Sequence, residues 1–354
     1  MGTKVLLVSG TTHDANSYNS PSVKAVFDEW VKKYDLDFEI VEDNGLQCDG
    51  GEQGEQILRL ERSGPNWIRH SEEYLKKVEE AEILIVGFAG VGKQLLEHAK
   101  NLKLIAVMRS GVENVDIEAA KEKGIIVCNA PGRLQETVSD MSCAMILDLN
   151  RAITYMNVES KLRDGESVMP YFHPELFKDI TLGIFGFGII GQVVCKKLAG
   201  FGMKYLAYDP FVTQEQADKL GLGVKMVDAE TLFKESDTIS VHARYLQGVN
   251  DKVISKELID SMKPTAFFVN TARAGLEDEE ALIDALREHR ICGAALDVTY
   301  EEPVPADHPL RALDNCILTP HVAGMAGDGQ KISAEIITNQ ISMYLDGGMP
   351  TSAK

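Results

Sequence analysis

The chain has 354 residues, with 54 acidic and 36 basic side chains, a formal net charge of −18, 44% hydrophobic residues and six cysteines. This length and composition predict about two globular domains and exclude a disordered tail protein. The negative balance disfavours nucleic-acid binding and docking to anionic lipid, so small-molecule chemistry is the default class of function.

The cysteines are scattered, with no C-x-x-C pair and no Cys/His cluster at zinc-ligand spacing. This pattern predicts reduced thiols and no metal site. The only apolar run near the start is Val5 to Val8, and no apolar stretch approaches the ~18 residues that a membrane span needs. We therefore expect a soluble, cytoplasmic protein that does not contact a membrane.

Short apolar runs that read as buried strands alternate with helical periodicity along the first third of the chain. The predicted strands are 4–8, 83–87, 104–108 and 125–128, and the predicted helices are 21–33, 71–80 and 92–101. Residues 44–66 are rich in glycine and charge and have no clear period, so they are expected to form a long excursion from this domain.

A second series of buried strands follows at 181–185, 204–208, 238–242, 266–270, 293–298 and 316–321. Between the two series lie a turn-forming cluster at 129–132 and a long helical pattern at 136–153, and a further helix is predicted at 331–345. Strand, helix and strand repeated in this way predict an α/β protein made of two doubly wound domains with parallel sheets.

A G-x-G-x-x-G motif, GFGIIG from Gly186 to Gly191, follows the predicted strand 181–185 and opens a helix. Gly186 would permit a tight turn, Gly188 would let the backbone approach a pyrophosphate, and Gly191 would let the helix pack on the strand. Asp209 ends the next strand, where a carboxylate would accept both ribose hydroxyls of an adenosine and repel a 2′-phosphate. The motif therefore predicts a site for NAD rather than NADP.

A second glycine-rich loop, GFAGVGKQ at 87–94, matches seven of the eight positions of a nucleotide-triphosphate loop. The eighth position is Gln94, whose amide cannot replace the hydroxyl that ligates magnesium. A triphosphatase stays an alternative that ATP and magnesium would test, and a flexible loop is the simpler interpretation.

Three ionisable residues each follow the carboxyl end of a predicted parallel strand: Arg273 in NTARAG, Glu302 in YEEP and His321 in LTPH. Open α/β sheets place their ligands at this edge, so a shared site is expected. An arginine fork suits a carboxylate and its neighbouring carbonyl, and a histidine beside a carboxylate can protonate the alkoxide that forms as hydride arrives. The three together favour reduction of a 2-keto acid.

From about residue 80 to about residue 325, the order and spacing of separated motifs resemble the D-2-hydroxyacid dehydrogenases, the group that includes D-3-phosphoglycerate dehydrogenase. The motifs are LKLIAVMRSGVENVDIEAAKEKGIIVCN, NAPG, GFGIIG, YDP, NTARAGLEDEEALIDAL, GAALDV, EEP and LTPHVAG. The resemblance implies a discontinuous, flavodoxin-like substrate domain, residues 1–131 plus 322–354, and an inserted Rossmann NAD domain, residues 132–321, with the active site between them.

The resemblance also implies roles for single residues. Arg273 is similar to the substrate-binding arginine of the family, Glu302 to its catalytic glutamate and His321 to its acid/base histidine. The backbone amides of Ser110 and Gly111 would receive the substrate carboxylate. The expected cofactor contacts are Gly186, Gly188, Ile189, Ile190, Gly191, Asp209, His242, Ala272 and Asp297, of which Asp297 would hold the nicotinamide carboxamide. The long helix from Glu136 is similar to the one through which relatives pair, so a homodimer is expected.

The chain departs from the family pattern at four places. Ile189 stands where many relatives have an arginine, Ala243-Arg244 replaces the usual proline, and Ala274 replaces a glycine. Arg244 is then either a solvated charge or a contact to an acidic group of the ligand. The chain ends at Lys354, soon after the last predicted helix, so no appended regulatory domain is expected.

These observations predict an NAD-dependent oxidoreductase that interconverts a 2-keto acid and a D-2-hydroxy acid. Arg109 and Arg244 favour a phosphorylated or sugar-derived acid, and D-3-phosphoglycerate dehydrogenase itself is one alternative. A second alternative is a non-enzymatic, NADH-responsive corepressor or sensor of the same fold. Turnover with a 2-keto acid distinguishes the enzyme from the sensor.

Overall fold

The computed structural model describes residues 2–50, 52–162, 174–325 and 329–354. The chain forms two compact units. Unit 1 comprises residues 1–133 and 326–354, and unit 2 comprises residues 134–325. The first unit therefore contains both ends of the chain, and each unit is described by itself below.

In its described part, unit 1 has one parallel sheet in the order β2-β1-β3-β4-β5. Its strands are β1 (Lys4–Ser9), β2 (Asp37–Glu42), β3 (Ile83–Val86), β4 (Leu104–Val107) and β5 (Ile126–Asn129). Its helices are α1 (Thr12–Tyr18), α2 (Pro21–Tyr34), α3 (Gln53–Ser63), α4 (Glu72–Glu80), α5 (Lys93–His98), α6 (Ile117–Glu122) and, from the chain's end, α14 (Gly329–Leu345). This strand order is a doubly wound order whose direction of winding changes between β1 and β3.

The sheet of unit 1 is buried on both faces, as parallel sheets are. Along β1, Leu6 and Val8 belong to the apolar cluster on one face, and Val5 and Leu7 belong to the cluster on the other. Helix α14 joins the second cluster through Ile337 and two neighbours, so the end of the chain completes the core of the first unit.

The segment predicted as an aperiodic excursion, residues 44–66, is organised. It contains helix α3 and packs a small apolar cluster of Leu46, Leu60 and Ile68. Behind it, His70 Nδ1 lies 3.0 Å from Asp43 Oδ1, and both side chains are 1% exposed. The sequence interpretation missed this helix because its hydrophobic residues, Ile57, Leu58 and Leu60, are too few to show a helical period.

In its described part, unit 2 has one parallel sheet in the order β12-β11-β10-β9-β6-β7-β8. Its strands are β6 (Thr181–Phe185), β7 (Lys204–Tyr208), β8 (Lys225–Met226), β9 (Thr238–Val241), β10 (Phe267–Asn270), β11 (Gly293–Leu296) and β12 (Cys316–Leu318). Its helices are α7 (Gln135–Arg151), α8 (Ile153–Leu162), α9 (Ile189–Leu198), α10 (Gln214–Asp218), α11 (Ala229–Glu235), α12 (Lys256–Asp260) and α13 (Glu279–Arg287). Its winding changes direction between β6 and β9, which is where such sheets bind dinucleotides.

The long helix predicted at 136–153 is α7, Gln135–Arg151. Ala152 lies in the left-handed region at φ 49° and ends it, and a second helix, α8, begins at the next residue. The structure otherwise confirms the predicted fold class of two doubly wound parallel α/β domains. Among the described residues, no helix has both the length and the apolarity that crossing a bilayer requires.

Candidate active site

The glycine loop lies at the carboxyl edge of the unit 2 sheet, between β6 and α9. Gly186 has φ 95°, and a Cβ built there would lie 2.3 Å from the backbone nitrogen of Ala243, in the loop after β9. A Cβ at Gly191 would lie 2.6 Å from the carbonyl oxygen of Gly186. Only glycine therefore permits this turn and the close approach of α9 to the strand, as the motif predicted.

The start of α9 fits a dinucleotide phosphate. Helix α9 begins at Ile189, and its N-cap residue Gly188 provides no side-chain acceptor for the first amides of the helix. A Cβ at Gly188 would have no described atom within 4 Å, so the backbone is open to close approach at this point. Ile189 is 51% exposed and carries no charge, so backbone N–H groups at this helix N-terminus would hold the pyrophosphate.

Asp209 lies directly beyond β7 and against the same loop. Its Oδ2 accepts a hydrogen bond from the backbone N–H of Phe187 at 2.9 Å, and its Oδ1 accepts one from Phe211 N–H at 2.9 Å. Each oxygen retains a further lone pair, so the carboxylate is positioned beside the glycine loop and can still accept from a ribose hydroxyl. These residues fit NAD.

His242 follows β9 at the same edge of the sheet. Its Nε2 lies 2.8 Å from Ser240 Oγ, and burial lowers the pKa of His242 to about 3. The ring is therefore neutral at physiological pH. Arg244, two residues further on, is exposed, and its carbonyl accepts from Asn250 Nδ2 at 2.8 Å.

The Arg273 loop follows β10 and is held from behind by a buried amide. Asn270 Oδ1 accepts from Ala272 N–H at 2.7 Å, and Asn270 Nδ2 donates to the carbonyl of Arg273 at 3.0 Å and to Glu277 Oε2 at 2.6 Å. Asn270 is fully buried and Glu277 is 1% exposed. Burial raises the pKa of Glu277 well above its ordinary value. Neither residue was predicted from the sequence.

The Arg273 side chain itself is exposed, and its Nη1 donates to the carbonyl of Ala272 at 2.7 Å. Its positive charge acts on Glu302, which follows β11. The structure therefore brings Arg273 into the surroundings of the two other ionisable residues predicted for the site.

Glu302 and His321 form a direct pair. His321 Nδ1 lies 2.7 Å from Glu302 Oε2, and Glu302 Oε1 accepts from the backbone N–H of Thr299 at 3.2 Å. Burial pushes the pKa of Glu302 upward, but the hydrogen bond and charge of His321, the Thr299 amide and the charge of Arg273 together hold it below its ordinary value. The side chains of His321 and Glu302 are 41% and 35% exposed, so a ligand can reach the pair.

Asp297 fixes the turn that carries His321. Asp297 Oδ1 accepts from Thr319 Oγ1 at 2.5 Å and from Val322 N–H at 2.9 Å, and Oδ2 accepts from Ala323 N–H at 2.8 Å. His321 lies in the left-handed region at φ 54°, and its N–H donates to the carbonyl of Asp297 at 2.8 Å. Asp297, which is 1% exposed, therefore positions the histidine loop, and its contact with a nicotinamide stays a prediction.

Ser110 and Gly111 belong to unit 1, in the loop after β4. Ser110 Oγ donates to the carbonyl of Ala130 at 3.2 Å, which ties this loop to the one after β5. A Cβ at Gly111 would lie 2.1 Å from Glu113 Oε2, so a carboxylate of the chain already lies against this glycine. The amides of this loop as the site of the substrate carboxylate stay a prediction.

The second glycine-rich loop, 87–94, leads into α5, a helix of six residues. The first amide of that helix, Lys93 N–H, donates to Asn66 Oδ1 at 2.9 Å. A side chain of the protein thus takes the position that a triphosphate would need.

Comparison with known proteins agrees with this fold. Residues 143–323 match the family model described as "D-isomer specific 2-hydroxyacid dehydrogenase, NAD binding domain". D-3-phosphoglycerate dehydrogenase of Methanocaldococcus jannaschii is 40% identical over 78% of this chain and 52% of its own length. Glyoxylate reductase of Thermococcus litoralis is 38% identical over 78% of this chain and 84% of its own length.

A solved structure extends the likeness to the whole fold. The NAD-complexed D-isomer specific 2-hydroxyacid dehydrogenase of Lactobacillus delbrueckii ssp. bulgaricus superposes with a TM-score of 0.77 at 21% identity, covering 99% of this chain and 100% of its own. At that identity the likeness supports the fold alone. This chain spans about half the length of the phosphoglycerate dehydrogenase that it matches.

The two parallel sheets and the glycine loop are those of a dinucleotide-binding α/β protein, and the Glu302–His321 pair lies at the carboxyl edge of one sheet. The chain belongs to the D-2-hydroxyacid dehydrogenase family. The predictions of the family, of the NAD-dependent oxidoreductase class and of NAD as the cofactor are therefore confirmed.

Proposed function

We propose that this chain interconverts a 2-keto acid and a D-2-hydroxy acid, with Arg273, Glu302 and His321 as its catalytic residues. The observation that carries the proposal is the 2.7 Å pair between His321 and Glu302, which lies within reach of the charge of Arg273. The names of two relatives, a glyoxylate reductase and a hydroxypyruvate reductase of Thermotoga maritima, support this reaction class.

His321 is the proton donor in the proposal. Its Nδ1 is taken by Glu302, so Nε2 is the nitrogen that can give a proton to the substrate oxygen. Because its pKa is held below its ordinary value, Glu302 stays negatively charged in the physiological range and places that charge beside the imidazole. The Asp297 hydrogen bonds hold the backbone turn that carries the ring.

Arg273 binds the substrate. Its positively charged guanidinium presents two parallel donors to a carboxylate and the adjacent carbonyl oxygen. The same charge would stabilise negative charge that develops on that oxygen. NADH, when bound at the glycine loop, supplies the hydride.

Kinetics with purified protein test the proposal. A panel of 2-keto acids, including glyoxylate and hydroxypyruvate, is offered with NADH, and steady NADH consumption is expected. The His321→Ala variant should lower kcat by roughly 10²- to 10⁴-fold, the contribution of a general acid, and leave the Kd for NADH unchanged. His98→Ala, which removes a histidine paired with Glu79 in unit 1, is the matched control and should keep full activity.

Two outcomes would contradict the assignment. Equal losses of turnover and of NADH binding in the His321 variant would make that residue structural. Tight NADH binding without turnover on any keto acid would favour the NADH-responsive sensor.

The proposal extends to a homodimer in the cytoplasm. Helix α8 exposes the apolar side chains of Ile153 and Val158, 59% and 39% exposed, directly after the helix that the family resemblance implies for pairing. All six cysteines are free thiols, and burial raises the pKa of Cys128 and Cys195 to about 12, which keeps them protonated. These thiols suit a reducing compartment.

A further inference from the structure

The turn of unit 2 that carries Arg273 is fixed at both of its ends. It leaves β10 at Asn270, the last residue of that strand. At its far end, Ile254 N–H donates to the carbonyl of Leu276 at 2.8 Å, and Asp278 N–H donates to the carbonyl of Ile254 at 3.0 Å. Arg273 therefore lies between a strand end and a short stretch of backbone pairing.

A hydrogen bond between two buried side chains joins these ends. Asn270 Nδ2 donates to Glu277 Oε2 at 2.6 Å, and the two residues are 0% and 1% exposed. The same amide holds the turn itself, since Nδ2 donates to the carbonyl of Arg273 at 3.0 Å and Oδ1 accepts from Ala272 N–H at 2.7 Å. These backbone contacts determine which way the amide faces, so Glu277 meets its N–H side and acts as the acceptor.

Glu277 completes the hydrogen bonds of the Asn270 amide. One hydrogen of Nδ2 serves the carbonyl of Arg273, and the other serves the Glu277 carboxyl. Without that carboxyl, a buried N–H would lose its acceptor, and such a group is costly to leave unpaired. The amide would then be free to turn towards another acceptor, and the Arg273 backbone would lose its fixed position.

A carboxyl is an unfavourable side chain for the place that Glu277 occupies. Leu276 and Ile254 beside it are fully buried, and burial raises the pKa of Glu277 well above its ordinary value. An apolar side chain would fill the same space without the cost of removing a carboxyl group from water. What the carboxyl adds at this place is the acceptor for Asn270.

We propose that Glu277 is a positioning residue for Arg273, which acts through the Asn270 amide and sets the affinity for the substrate carboxylate. At 1% exposure Glu277 does not touch a ligand itself. A bidentate contact between a guanidinium and a carboxylate depends on its geometry, so a small displacement of the Arg273 backbone weakens it. The inference rests on the proposed role of Arg273 as the substrate-binding residue and goes beyond it.

Binding of oxamate to the full-length protein at saturating NADH tests the proposal. Oxamate has the carboxylate and the neighbouring carbonyl oxygen of a 2-keto acid but is not reduced. Glu277→Met, which keeps an unbranched side chain without the carboxyl, should weaken oxamate binding by about tenfold, raise the KM for glyoxylate similarly and leave the Kd for NADH unchanged. Glu277→Gln, which retains an acceptor oxygen, should restore oxamate binding.

Three further variants complete the comparison. Glu280→Met changes an exposed glutamate in the first turn of α13 and should leave oxamate and NADH binding unchanged. Arg273→Met removes the guanidinium itself and sets the largest loss of oxamate affinity to be expected. If Glu277→Met fails to fold, as its melting curve would report, Glu277→Asp decides, because a carboxyl drawn back by one methylene should still weaken oxamate binding.

The outcomes separate the positioning role from the reaction. Equal losses of oxamate and NADH affinity in Glu277→Met, or unchanged oxamate affinity where Arg273→Met loses it, would overturn the positioning role and leave the proposed function standing. Unchanged oxamate affinity in Arg273→Met would overturn both. The expected pattern of oxamate binding without turnover of any 2-keto acid would support the positioning role and overturn the proposed reaction.

Discussion

Two carboxyl groups in unit 2 are pushed in opposite directions by their surroundings. Glu302 is accessible and keeps its charge, because His321, the Thr299 amide and Arg273 outweigh the effect of partial burial. Glu277 is buried behind the Arg273 loop, and its pKa is raised. The surroundings therefore favour the charged form of Glu302 and the neutral form of Glu277.

We expect Glu277 to make the stability of the protein depend on pH. The folded state binds a proton on Glu277 over a pH range in which the unfolded chain has already lost it, because the pKa is raised from its ordinary value of 4.5. The free energy of unfolding should therefore fall as pH rises from that value towards the raised pKa. Glu277→Gln keeps the acceptor for Asn270 and cannot ionise, so its Tm should gain on the wild type as pH rises from 5 to 9.

Thermal melts at several pH values measure this difference. Glu280→Gln, which changes an exposed glutamate in the first turn of the following helix α13, is the matched control and should show a Tm offset that is independent of pH. A constant offset for Glu277→Gln as well would mean that the buried carboxyl is ionised in the folded state.

The site residues that could be predicted from the sequence are those that follow the carboxyl end of a predicted strand. Arg273, Glu302 and His321 each end such a motif, and the structure places Glu302 and His321 2.7 Å apart. Asn270 and Glu277 were not predicted, because their contact depends on how a seven-residue turn folds back on a strand.

At the scale of elements, the two first glycines of the β6–α9 loop have different physical roles. Gly186 is required by the backbone, with a positive φ and an atom 2.3 Å from the position of a Cβ. Gly188 has φ −74° and open space around it, so an alanine there is compatible with the fold. The role of Gly188 would be to leave room for a phosphate of the cofactor.

A matched pair of alanine substitutions tests this distinction. Gly188→Ala should keep the wild-type Tm and weaken NADH binding by about tenfold or more, because the methyl group stands where the pyrophosphate approaches. Gly186→Ala should lower the Tm by several degrees, since strain of about 1–3 kcal/mol enters the folded state before any ligand binds. Isothermal titration with NADH and thermal melts of both variants measure the two effects, and unchanged NADH affinity in Gly188→Ala would place the cofactor elsewhere.

The buried strands of both sheets were found from composition because they are short, fully apolar runs between turn signals. The strand β2 was missed because its sequence DFEIVE is not a continuous apolar run. Three of its six residues are acidic, and most of its side chains are partly or fully exposed at the edge of the sheet. β8 was missed because two residues give no period. Edge strands and short strands are defined by their pairing partners, which a local pattern does not contain.

At the scale of the whole molecule, the family resemblance predicted that the two ends of the chain would fold together. Composition alone could not have done so, because the contact between α14 and the first helices joins residues more than 300 positions apart, as in the 3.2 Å hydrogen bond from Trp30 Nε1 to Ser342 Oγ. The boundaries between the two units fall at 133/134 and 325/326. They lie a few residues from the expected domain boundaries at 131/132 and 321/322. The assignment of substrate and cofactor to separate units stays a proposal.

The proposed homodimer can be tested by measuring the mass of the whole molecule in solution. If α8 lies in the interface, replacing Val158 with glutamate places a charge in an apolar contact, and the mass in solution should fall from about twice to once the 38.9 kDa of the chain. Light scattering after size exclusion measures the mass, and NADH titration checks that unit 2 is intact. Val249→Glu is the control, because Val249 is 78% exposed in the loop after β9 and should tolerate the charge. A dimer that survives Val158→Glu would move the interface away from α8, and a monomeric wild type would remove it altogether.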